Sequence, residues 1–499
     1  MIFIRRLVKH LVLAVTYSVF GSTIVLVSLY VYMLESRPDL KIWHLAELDT
    51  EFQAKQAADI STLDDYLEIE RRLFLQLQEQ VYAVVDDADR RRINRYSSGS
   101  LMDPTAYPRN WNRTFELRQP AAKAGIVLLH GLSDSPYSMR TLGQQLHGSG
   151  FHVVGLRIPG HGTAPSGLLK VKWQDFTAAT RLAVRHVREK IGPDKPLYIA
   201  GYSNGAALAV EYSLAVLEGE DLPAADGLVL LSPAIGVSPV AALAIWQSRF
   251  SNLTGLEKLA WNSITPEFDP YKYNSFPVNA GDQIYLLTQN IAQRISRLAG
   301  PNGVRGFPRT LAFQSVVDAT VPPATVIDNL FTNLEPEGHQ LVLFDVNRNT
   351  EAEPLLKSDP ETLTERLFSE EALAFDLTLV TNASADTNDV VARRKPALAE
   401  QSFDVPLDLS WPQGLFSLSH VSIPFPPDDP VYGGQADDGD DEAIVLGSVA
   451  IRGERNLLQI PDDFFLRLRY NPFFPYLSQR LTAFLQAEIN TENENSNPQ

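Results

Sequence analysis

Apolar positions in the middle of the chain alternate between short continuous runs and a longer stretch with helical spacing. The runs at 125–129 and 197–200 have the length and continuity of strands buried on both faces. Residues 173–191 carry apolar side chains near helical spacing and are followed by Gly192 and Pro193, which stop a helix. Strand, helix and strand in this order predict an α/β fold, a mainly parallel sheet with helices on both faces.

The amino-terminal residues follow a different pattern. Residues 1–10 carry Arg5, Arg6 and Lys9, whereas residues 11–34 contain no charged side chain. As a helix, the uncharged stretch measures about 36 Å, enough to cross a hydrocarbon core of about 30 Å. No small-residue cleavage site follows it, so we predict an uncleaved signal anchor that crosses the membrane once, with residues 1–10 cytoplasmic and the body of the chain outside.

A serine lies where the apolar run at 197–200 changes into a helical pattern. The sequence there is Gly201-Tyr202-Ser203-Asn204-Gly205, the form of a nucleophile elbow, in which a sharp turn lifts a serine hydroxyl above the sheet. Glycine at both ends avoids a Cβ where the chain closely approaches itself. The bland alternative is a turn of small residues that packs a helix on a sheet, and other motifs have to decide between the two.

An acid and a base follow the serine in the order Ser, Asp, His, which is one established arrangement of a catalytic triad. Asp318 comes just after an apolar run that begins at 310, although an Asp there also caps helices and starts turns. Two histidines follow it, His339 and His420. His339 precedes an apolar run and so belongs to the wrong edge of a parallel sheet, which leaves His420 as the predicted base.

A second loop supplies the rest of the predicted site. The strand at 125–129 ends in His130-Gly131-Leu132, a flexible backbone beside the place of a substrate carbonyl. Backbone N–H groups aimed at the oxygen of a tetrahedral intermediate form an oxyanion hole, and we assign the two donors to Leu132 and Asn204. Ser203 would then attack as a nucleophile, with His420 accepting its proton and Asp318 orienting the imidazole.

The combined motifs resemble the α/β-hydrolase family. They are the strand with His130-Gly131, Gly160-His161-Gly162, the serine elbow, Val317-Asp318 and Ser419-His420. Within the family, the chain is most similar to bacterial carboxylesterases and monoacylglycerol-lipase-like enzymes, and a related branch is serine aminopeptidase-like. The resemblance covers about 116–346 and 417–489. It implies an eight-stranded, mainly parallel core and the same two oxyanion donors.

Insertions separate this chain from compact family members. Residues 237–305 break the alternation of strand and helix and are rich in aromatic side chains, so we predict a helical cap, which suits an acyl chain better than a charged peptide. A second insertion, 349–415, separates the acid from the base and leaves the last core strand open between 341–344 and 375–380. His130 and His161 precede the nucleophile and are interpreted as structural residues.

The remaining boundaries follow from these assignments. Residues 35–115 are predicted to form a mostly helical extension whose amphipathic face packs against the body, with a partner surface as the alternative. The hydrolase domain is predicted over 116–489. The polar tail, 490–499, is predicted to be disordered. The acidic loop 437–441 lacks the complete spacing of a calcium loop and is interpreted as a solvated turn.

Composition excludes several classes of function. The net charge of −17 makes the chain a poor candidate for binding nucleic acid through bulk electrostatics. The absence of cysteine excludes a thiol nucleophile and structural disulfides. No metal ligand set or cofactor motif is expected.

The leading hypothesis is therefore a membrane-anchored serine hydrolase that cleaves carboxylic esters, lipid esters among them, through an acyl-enzyme on Ser203. Residues 11–34 would hold it in a bacterial inner membrane with the catalytic domain on the periplasmic face. Two alternatives stay open: an aminopeptidase or amidase of the same fold, and a non-catalytic membrane scaffold that recruits partners through residues 36–100.

Overall fold

The computed structural model describes residues 2–57, 59–91, 93–236, 257–336, 338–350, 359–434, 445–447 and 467–495. The α-helices in these ranges are α1 (Ile2–Glu35), α2 (Ile42–Leu45), α3 (Leu63–Gln80), α4 (Arg140–Gly148), α5 (Trp173–Ile191), α6 (Asn204–Leu217), α7 (Val278–Leu298), α8 (Pro323–Asn329), α9 (Glu361–Ser369) and α10 (Phe474–Asn495). The strands are β1 (Phe115–Leu117), β2 (Ala124–Leu129), β3 (Phe151–Leu156), β4 (Leu197–Tyr202), β5 (Gly227–Leu231), β6 (Trp261–Ser263), β7 (Phe276–Pro277), β8 (Ala299–Gly300), β9 (Gly303–Val304), β10 (Arg309–Ser315), β11 (Gln340–Phe344), β12 (Asp376–Asn382), β13 (Asp389–Lys395) and β14 (Phe403–Ser410).

One large sheet organises the body of the protein. Its strand order is β1-β3-β2-β4-β5-β10-β11-β12-β13-β14, and the strands from β3 to β12 in that order are parallel. The edge strands β1, β13 and β14 are antiparallel to their neighbours. The predicted mainly parallel α/β sheet is confirmed. Two shorter ribbons, β6-β7 and β8-β9, lie outside it.

The sheet has ten strands where the family resemblance implied eight. Both runs left open as the last core strand belong to it, because β11 and β12 are parallel neighbours. The chain then turns back twice, through β13 and β14, and these antiparallel strands come from the insertion predicted at 349–415. The insertion therefore widens the sheet.

Helices cover both faces because successive side chains of a buried strand point to opposite sides. On β2, Ile126 and Leu128 pack in the core shared with α4 and α10. Val127 and Leu129 pack in the core shared with α5, α6 and α7. All four side chains are essentially excluded from solvent.

The amino-terminal helix differs from the others in burial. Its apolar stretch Ile4–Tyr30 has a mean hydropathy of 2.0, and none of it is buried against the rest of the protein. It is long enough to cross a bilayer. By length and composition alone, a membrane anchor and a signal sequence both fit this helix.

The extension at 36–100 is less helical than the sequence indicated. It contains the long helix α3 and the short helix α2, with the remainder in turns and 3₁₀ segments. The expectation of a mostly helical segment is therefore wrong, since much of its apolar content lies in loops that pack on the body. Tyr66 of α3 donates a hydrogen bond to the carbonyl of Arg157 at 2.6 Å.

A buried ion cluster joins this extension to the sheet. Arg157, which follows β3, is fully buried and binds Glu51 at 2.8 Å and Glu70 at 3.1 Å. Glu51 also accepts a hydrogen bond from the backbone of Gly160 at 2.7 Å. The extension thus supplies both carboxylates that neutralise a guanidinium in the interior of the body.

Other predicted segments fall partly outside the described ranges. Helix α10 continues to Asn495, so residues 490–495 of the tail expected to be disordered are helical, while 496–499 lie outside the described residues. The acidic loop at 437–441 and the cap aromatics Trp246 and Phe250 also lie outside them.

Candidate active site

The serine elbow connects β4 directly to α6. Ser203 has φ 53° and ψ −114°, and residues other than glycine rarely adopt a positive φ. A Cβ at Gly205 would lie 2.1 Å from the carbonyl oxygen of Leu129, and a Cβ at Gly201 would lie 2.3 Å from the backbone of Gly205. Glycine is therefore required at both positions for helix α6 to begin this close to strand β2.

Ser203, His420 and Asp318 meet at the carboxyl edge of the sheet. His420 Nε2 lies 3.0 Å from Ser203 Oγ, and His420 Nδ1 lies 2.7 Å from Asp318 Oδ2. These side chains come from loops after β4, β10 and β14, so distant segments converge at one point. The arrangement has the spacing of a nucleophile, a base and an orienting acid.

The carboxyl group of Asp318 is fixed by its own loop. Its Oδ1 accepts hydrogen bonds from the backbone N–H groups of Thr320 and Val321 at 2.8 and 2.9 Å. Its Oδ2 accepts a hydrogen bond from the Gln314 side chain at 2.9 Å in addition to contacting His420. These contacts leave one rotamer for the acid and aim it at the imidazole.

The loop that carries His420 is also tied to the sheet. Ser315, the last residue of β10, donates a hydrogen bond from its hydroxyl to the carbonyl of Leu418 at 2.9 Å. The Tyr202 hydroxyl lies 3.4 Å from the carbonyl of His420. The long insertion before His420 therefore does not displace it, because contacts close to the histidine set its position.

The other histidines considered from the sequence lie elsewhere. His130 Nε2 accepts a hydrogen bond from Ile158 N at 3.0 Å, and its Nδ1 lies 2.8 Å from the carbonyl of Gly131. His161 contacts the carbonyl of Pro159 at 2.9 Å. Burial holds the pKa of His130 well below its usual value and lowers that of His161 to about 4. Both are neutral, buried residues that shape their loops.

Two backbone N–H groups border Ser203 on the side of the oxyanion loop. Asn204 is the first residue of α6, where an N–H has no partner inside its own helix. Leu132 lies in the loop after β2, and the backbone hydrogen bonds of the described residues include none donated by it. These are the two groups predicted as donors, and they remain candidates for that role.

A tyrosine from the predicted cap holds the oxyanion loop. The backbone N–H of Tyr273 donates to the carbonyl of Ser133 at 2.7 Å. Its hydroxyl accepts from Thr163 N at 2.8 Å and donates to the carbonyl of Gly160 at 3.1 Å. The backbone and the side chain of one residue thus connect the loop that carries Leu132 with the loop after β3. The sequence indicated only a packing role for this residue.

A cavity of about 300 Å³ opens beside the triad. Its lining includes Ser133 and Val421, the residues directly after Leu132 and His420. Charged side chains that the sequence did not single out also line it, namely Asp134, Asp269, Lys272, Arg467 and Arg469.

Burial changes the pKa of two of these charged groups. Desolvation raises the pKa of Asp134 to about 7, against the opposing attraction of Lys272. Desolvation also lowers the pKa of Lys272, although the nearby carboxyl groups of Asp134 and Asp269 favour its charged form. A charged and partly apolar chamber therefore reaches the residues that directly follow Leu132 and His420.

One cluster away from the triad has the donor types of a metal site. Glu116 Oε1 lies 3.0 Å from His152 Nε2 and 3.0 Å from His186 Nε2, at the β1 edge of the sheet. The ligand atoms of all three lie within 4.8 Å of one another. The second oxygen of Glu116 pairs with Arg118 at 2.8 Å, so the cluster is also satisfied as a hydrogen-bonded ion group.

Comparison with known proteins matches the sheet and elbow region. Residues 120–345 match the family model Hydrolase_4, described as serine aminopeptidase, S33. The match includes Ser203, Asp318 and the oxyanion loop and ends before His420. The base therefore lies in the part of the chain beyond the matched family region.

Two bacterial relatives each match less than half of the chain. A thermostable monoacylglycerol lipase of Bacillus sp. (strain H-257) is 22% identical over 218 residues, which is 44% of this chain and 79% of the lipase. Phospholipase YtpA of Bacillus subtilis (strain 168) is 25% identical over 178 residues, 36% of this chain and 59% of the phospholipase. The chain thus spans little more than half the length of the second relative.

Solved structures of lipolytic enzymes are also among the matches. The monoacylglycerol lipase of Paleococcus ferrophilus superposes with a TM-score of 0.35 and 19% identity, covering 46% of this chain and 88% of that one. The esterase Est2 of Thermogutta terrifontis superposes with a TM-score of 0.29 and 19% identity, covering 46% of this chain and 76% of that one.

Proposed function

Since residues 120–345 match the Hydrolase_4 (S33) family of α/β-hydrolases, we propose that this chain is a serine hydrolase that cleaves carboxylic esters through an acyl-enzyme on Ser203. The general class of activity, that of a lipase- or esterase-like hydrolase, rests on the family match and the bacterial relatives. The catalytic assignment rests on one observation, the continuous hydrogen-bonded chain from Asp318 through His420 to Ser203.

In the proposed reaction, Ser203, His420 and Asp318 each act once while the acyl-enzyme forms and once while it is hydrolysed. Ser203 Oγ attacks the ester carbonyl carbon while His420 Nε2 accepts its proton, and Asp318 stabilises the imidazolium that forms. The carbonyl oxygen becomes an oxyanion and accepts hydrogen bonds from the N–H groups of Leu132 and Asn204. His420 then returns the proton to the departing alcohol.

Water completes the cycle by the same route. His420 removes a proton from a water molecule, which attacks the acyl carbon on Ser203 and forms a second tetrahedral intermediate. Collapse of this intermediate releases the carboxylic acid, and His420 returns the proton to Ser203. The carbon–oxygen bonds broken are those of the substrate ester and then of the acyl-enzyme, so the net reaction is hydrolysis.

An aminopeptidase of the same fold is the second candidate, and the charge of the adjacent cavity counts against it. A free amino terminus is a cation, and its binding favours an excess of carboxylates. The cavity beside Ser203 has three basic side chains and two carboxyl groups, one of which, Asp134, has its pKa raised to about 7. Lysine and arginine in excess would repel an ammonium group. We therefore rank ester hydrolysis above aminopeptidase activity.

We also propose that α1 holds the enzyme in the membrane. Its exposed apolar stretch supports this, and the positive residues at the amino-terminal end of the stretch favour a cytoplasmic amino terminus with the catalytic domain outside. Fusion of reporter enzymes to each end of the chain tests the orientation. A phosphatase active only in the periplasm should be active at the carboxyl terminus, and its inactivity there would contradict the proposal.

Active-site labelling tests the catalytic assignment. Full-length protein in detergent should hydrolyse p-nitrophenyl butyrate and react with a fluorophosphonate probe, and Ser203→Ala should abolish both because no other nucleophile occupies the elbow. Ser213→Ala is the matched control, since the Ser213 hydroxyl lies on the same helix and bonds the carbonyl of Ala209. Equal labelling of the Ser203→Ala protein, or retained function in cells, would instead favour the scaffold alternative.

A further inference from the structure

The cavity beside the triad lies where a bound ester would extend. Its lining residues Ser133 and Val421 directly follow an oxyanion candidate and the base. An ester whose carbonyl is held at Ser203 would extend toward this cavity. Both charged and apolar side chains line the cavity, so its charges affect which esters bind.

Positive charge is in excess along one wall. Among the three basic side chains, Arg469 is neutralised, because its Nη1 lies 3.2 Å from Asp269 Oδ2. Asp269 is further held by the Tyr432 hydroxyl and by the backbone N–H groups of its own turn. This carboxylate is thus committed to Arg469 and to its own loop.

Among the described residues, the other two basic side chains form no direct ion pair with a carboxylate, although Asp134 attracts Lys272 from a greater distance. Arg467 donates a hydrogen bond to the Thr320 hydroxyl at 3.0 Å, and its guanidinium is exposed. Within the described part of the chain, Lys272 has no ion pair and no hydrogen bond from its ammonium group. Both cations line the same cavity. Two cations without a direct ion pair in one chamber are unexpected in a protein of net charge −17.

The remaining carboxyl group offsets their charge only in part. Asp134 is buried, and the pKa of about 7 means that it carries only part of a negative charge near neutral pH. Its Oδ1 accepts the backbone N–H of Ser135 at 2.8 Å. The lining also includes the apolar side chains of Phe276, Val421 and Phe425. The chamber therefore combines a hydrocarbon surface with a local excess of positive charge.

The position of Arg467 relates this charge to the leaving group. Arg467 also lines the surface depression that contains His420, and its hydrogen-bond partner Thr320 lies two residues after Asp318. The guanidinium is thus on the side of the imidazole, where the departing alcohol receives its proton. A negative charge on the alcohol part of an ester would lie within reach of this wall.

We propose that Lys272 and Arg467 form a subsite for a negatively charged group, a phosphate or a carboxylate, on the alcohol part of the ester substrate. The subsite rests on the proposed ester hydrolysis at Ser203 and names its substrate class: anionic acyl esters with an apolar acyl part. Lysine and arginine bind such groups through charge-assisted hydrogen bonds.

Matched chromogenic esters test the subsite on the full-length protein in detergent. The neutral substrate is the butyryl ester of methyl 4-hydroxybenzoate. The carboxylate substrate is the butyryl ester of 4-hydroxybenzoate, and the phosphate substrate is the butyryl ester of 4-hydroxyphenyl phosphate. The quantity compared is the ratio of kcat/KM for each anionic ester to that for the neutral ester. The two anionic esters distinguish phosphate from carboxylate recognition.

Lys272→Met and Arg467→Gln should each lower this ratio about tenfold, because each removes a charge-assisted hydrogen bond. Lys272→Arg should restore most of it, and added salt should lower the ratio of the unmodified enzyme. Lys258→Met is the matched control, because Lys258 pairs with Asp39 and does not line the cavity. Arg467 is exposed, so its variant keeps the test informative even where Lys272→Met fails to fold.

The outcomes separate this proposal from the proposed function. Unchanged ratios in both variants, with normal hydrolysis of the neutral ester, overturn the anion subsite and leave the catalytic assignment intact. Hydrolysis of all three esters by Ser203→Ala overturns the catalytic assignment itself. A lower ratio in the Lys258→Met control as well would mean that general electrostatics sets the preference, which also contradicts a built subsite.

Discussion

Replacing Gly205 with alanine tests whether the steric fit of the elbow outweighs helix propensity at this position. Alanine is the better helix former by about 1 kcal/mol, so helix propensity alone predicts a more stable protein. The added Cβ, however, would lie 2.1 Å from the Leu129 carbonyl oxygen, 2.5 Å from its carbon and 2.7 Å from the His130 carbonyl oxygen. All three are backbone atoms of β2 and its loop, which cannot rotate away as a side chain could.

The size of the expected effect follows from these distances. Restoring ordinary contact requires α6 and β2 to separate by more than about 1 Å. Overpacking of this kind costs about 1–3 kcal/mol. The same movement separates Asn204 from Leu132, the two candidate oxyanion donors, and a misplacement of about 1 Å in a catalytic group costs about a hundredfold in rate. We expect kcat/KM to fall about a hundredfold or more.

The assay is hydrolysis of p-nitrophenyl butyrate with thermal unfolding of the same protein preparation. Gly281→Ala is the control, because Gly281 also lies in a helix and the nearest atom to its Cβ would be 3.8 Å away. That variant should keep full activity and unfold at the same or a higher temperature. Full activity of Gly205→Ala, at an unchanged unfolding temperature, would refute the steric account of the elbow.

Two further predictions concern buried charge. Arg157→Met should destabilise the protein by about 3–5 kcal/mol in urea unfolding, because it leaves Glu51 and Glu70 buried without a positively charged partner, and a destabilisation below 1 kcal/mol would contradict that reasoning. Protonation of Asp134 below its pKa of about 7 makes the cavity more positive, so the preference for anionic over neutral esters should rise as the pH falls from 8 to 6. Asp134→Asn should weaken this dependence, and an identical profile in the variant would exclude Asp134 as its cause.

The residues of the candidate triad were predictable because each depends on a local pattern. Ser203 lies between an apolar run and a helical pattern, and the glycines on either side of it lie where the backbone of the elbow closely approaches neighbouring backbone. Asp318 follows a strand end, and topology separated His420 from His339. The elbow and the two loops needed no knowledge of long-range contacts, which explains why their positions followed from the sequence.

The cationic wall was not predictable in the same way. Lys272 and Arg467 lie in irregular segments far apart along the chain, and neither has a periodicity or motif around it. The same is true of Glu51 and Glu70, whose partner Arg157 is identified only by the fold. Long-range electrostatic partners leave no local pattern.

Edge strands posed a different difficulty. β13 and β14 lie within the insertion after β12. The side chains of β14 alternate between exposed and half-buried along most of the strand, and β13 has a buried run of only three residues followed by charged ones, so both differ from the longer apolar runs that mark central strands. Counting runs of apolar residues in the sequence therefore finds the parallel strands at the centre of the sheet and misses the antiparallel strands at its edge. The family resemblance gave a smaller strand number for the same reason, because the margin belongs to this chain's own insertion.

The short connection between α1 and the body has a mechanical consequence. Helix α1 ends at Glu35, and two residues later the Arg37 guanidinium donates hydrogen bonds to the carbonyls of Lys258, Trp261 and Asn262 at 3.1, 2.7 and 2.6 Å. Lys258 returns a bond to the carbonyl of Arg37 at 3.0 Å. Such a junction is not a flexible linker. A bilayer that holds α1 would therefore also fix the orientation of the catalytic cleft and its distance from the membrane surface. Ester substrates would have to reach the cleft at that distance from the lipid.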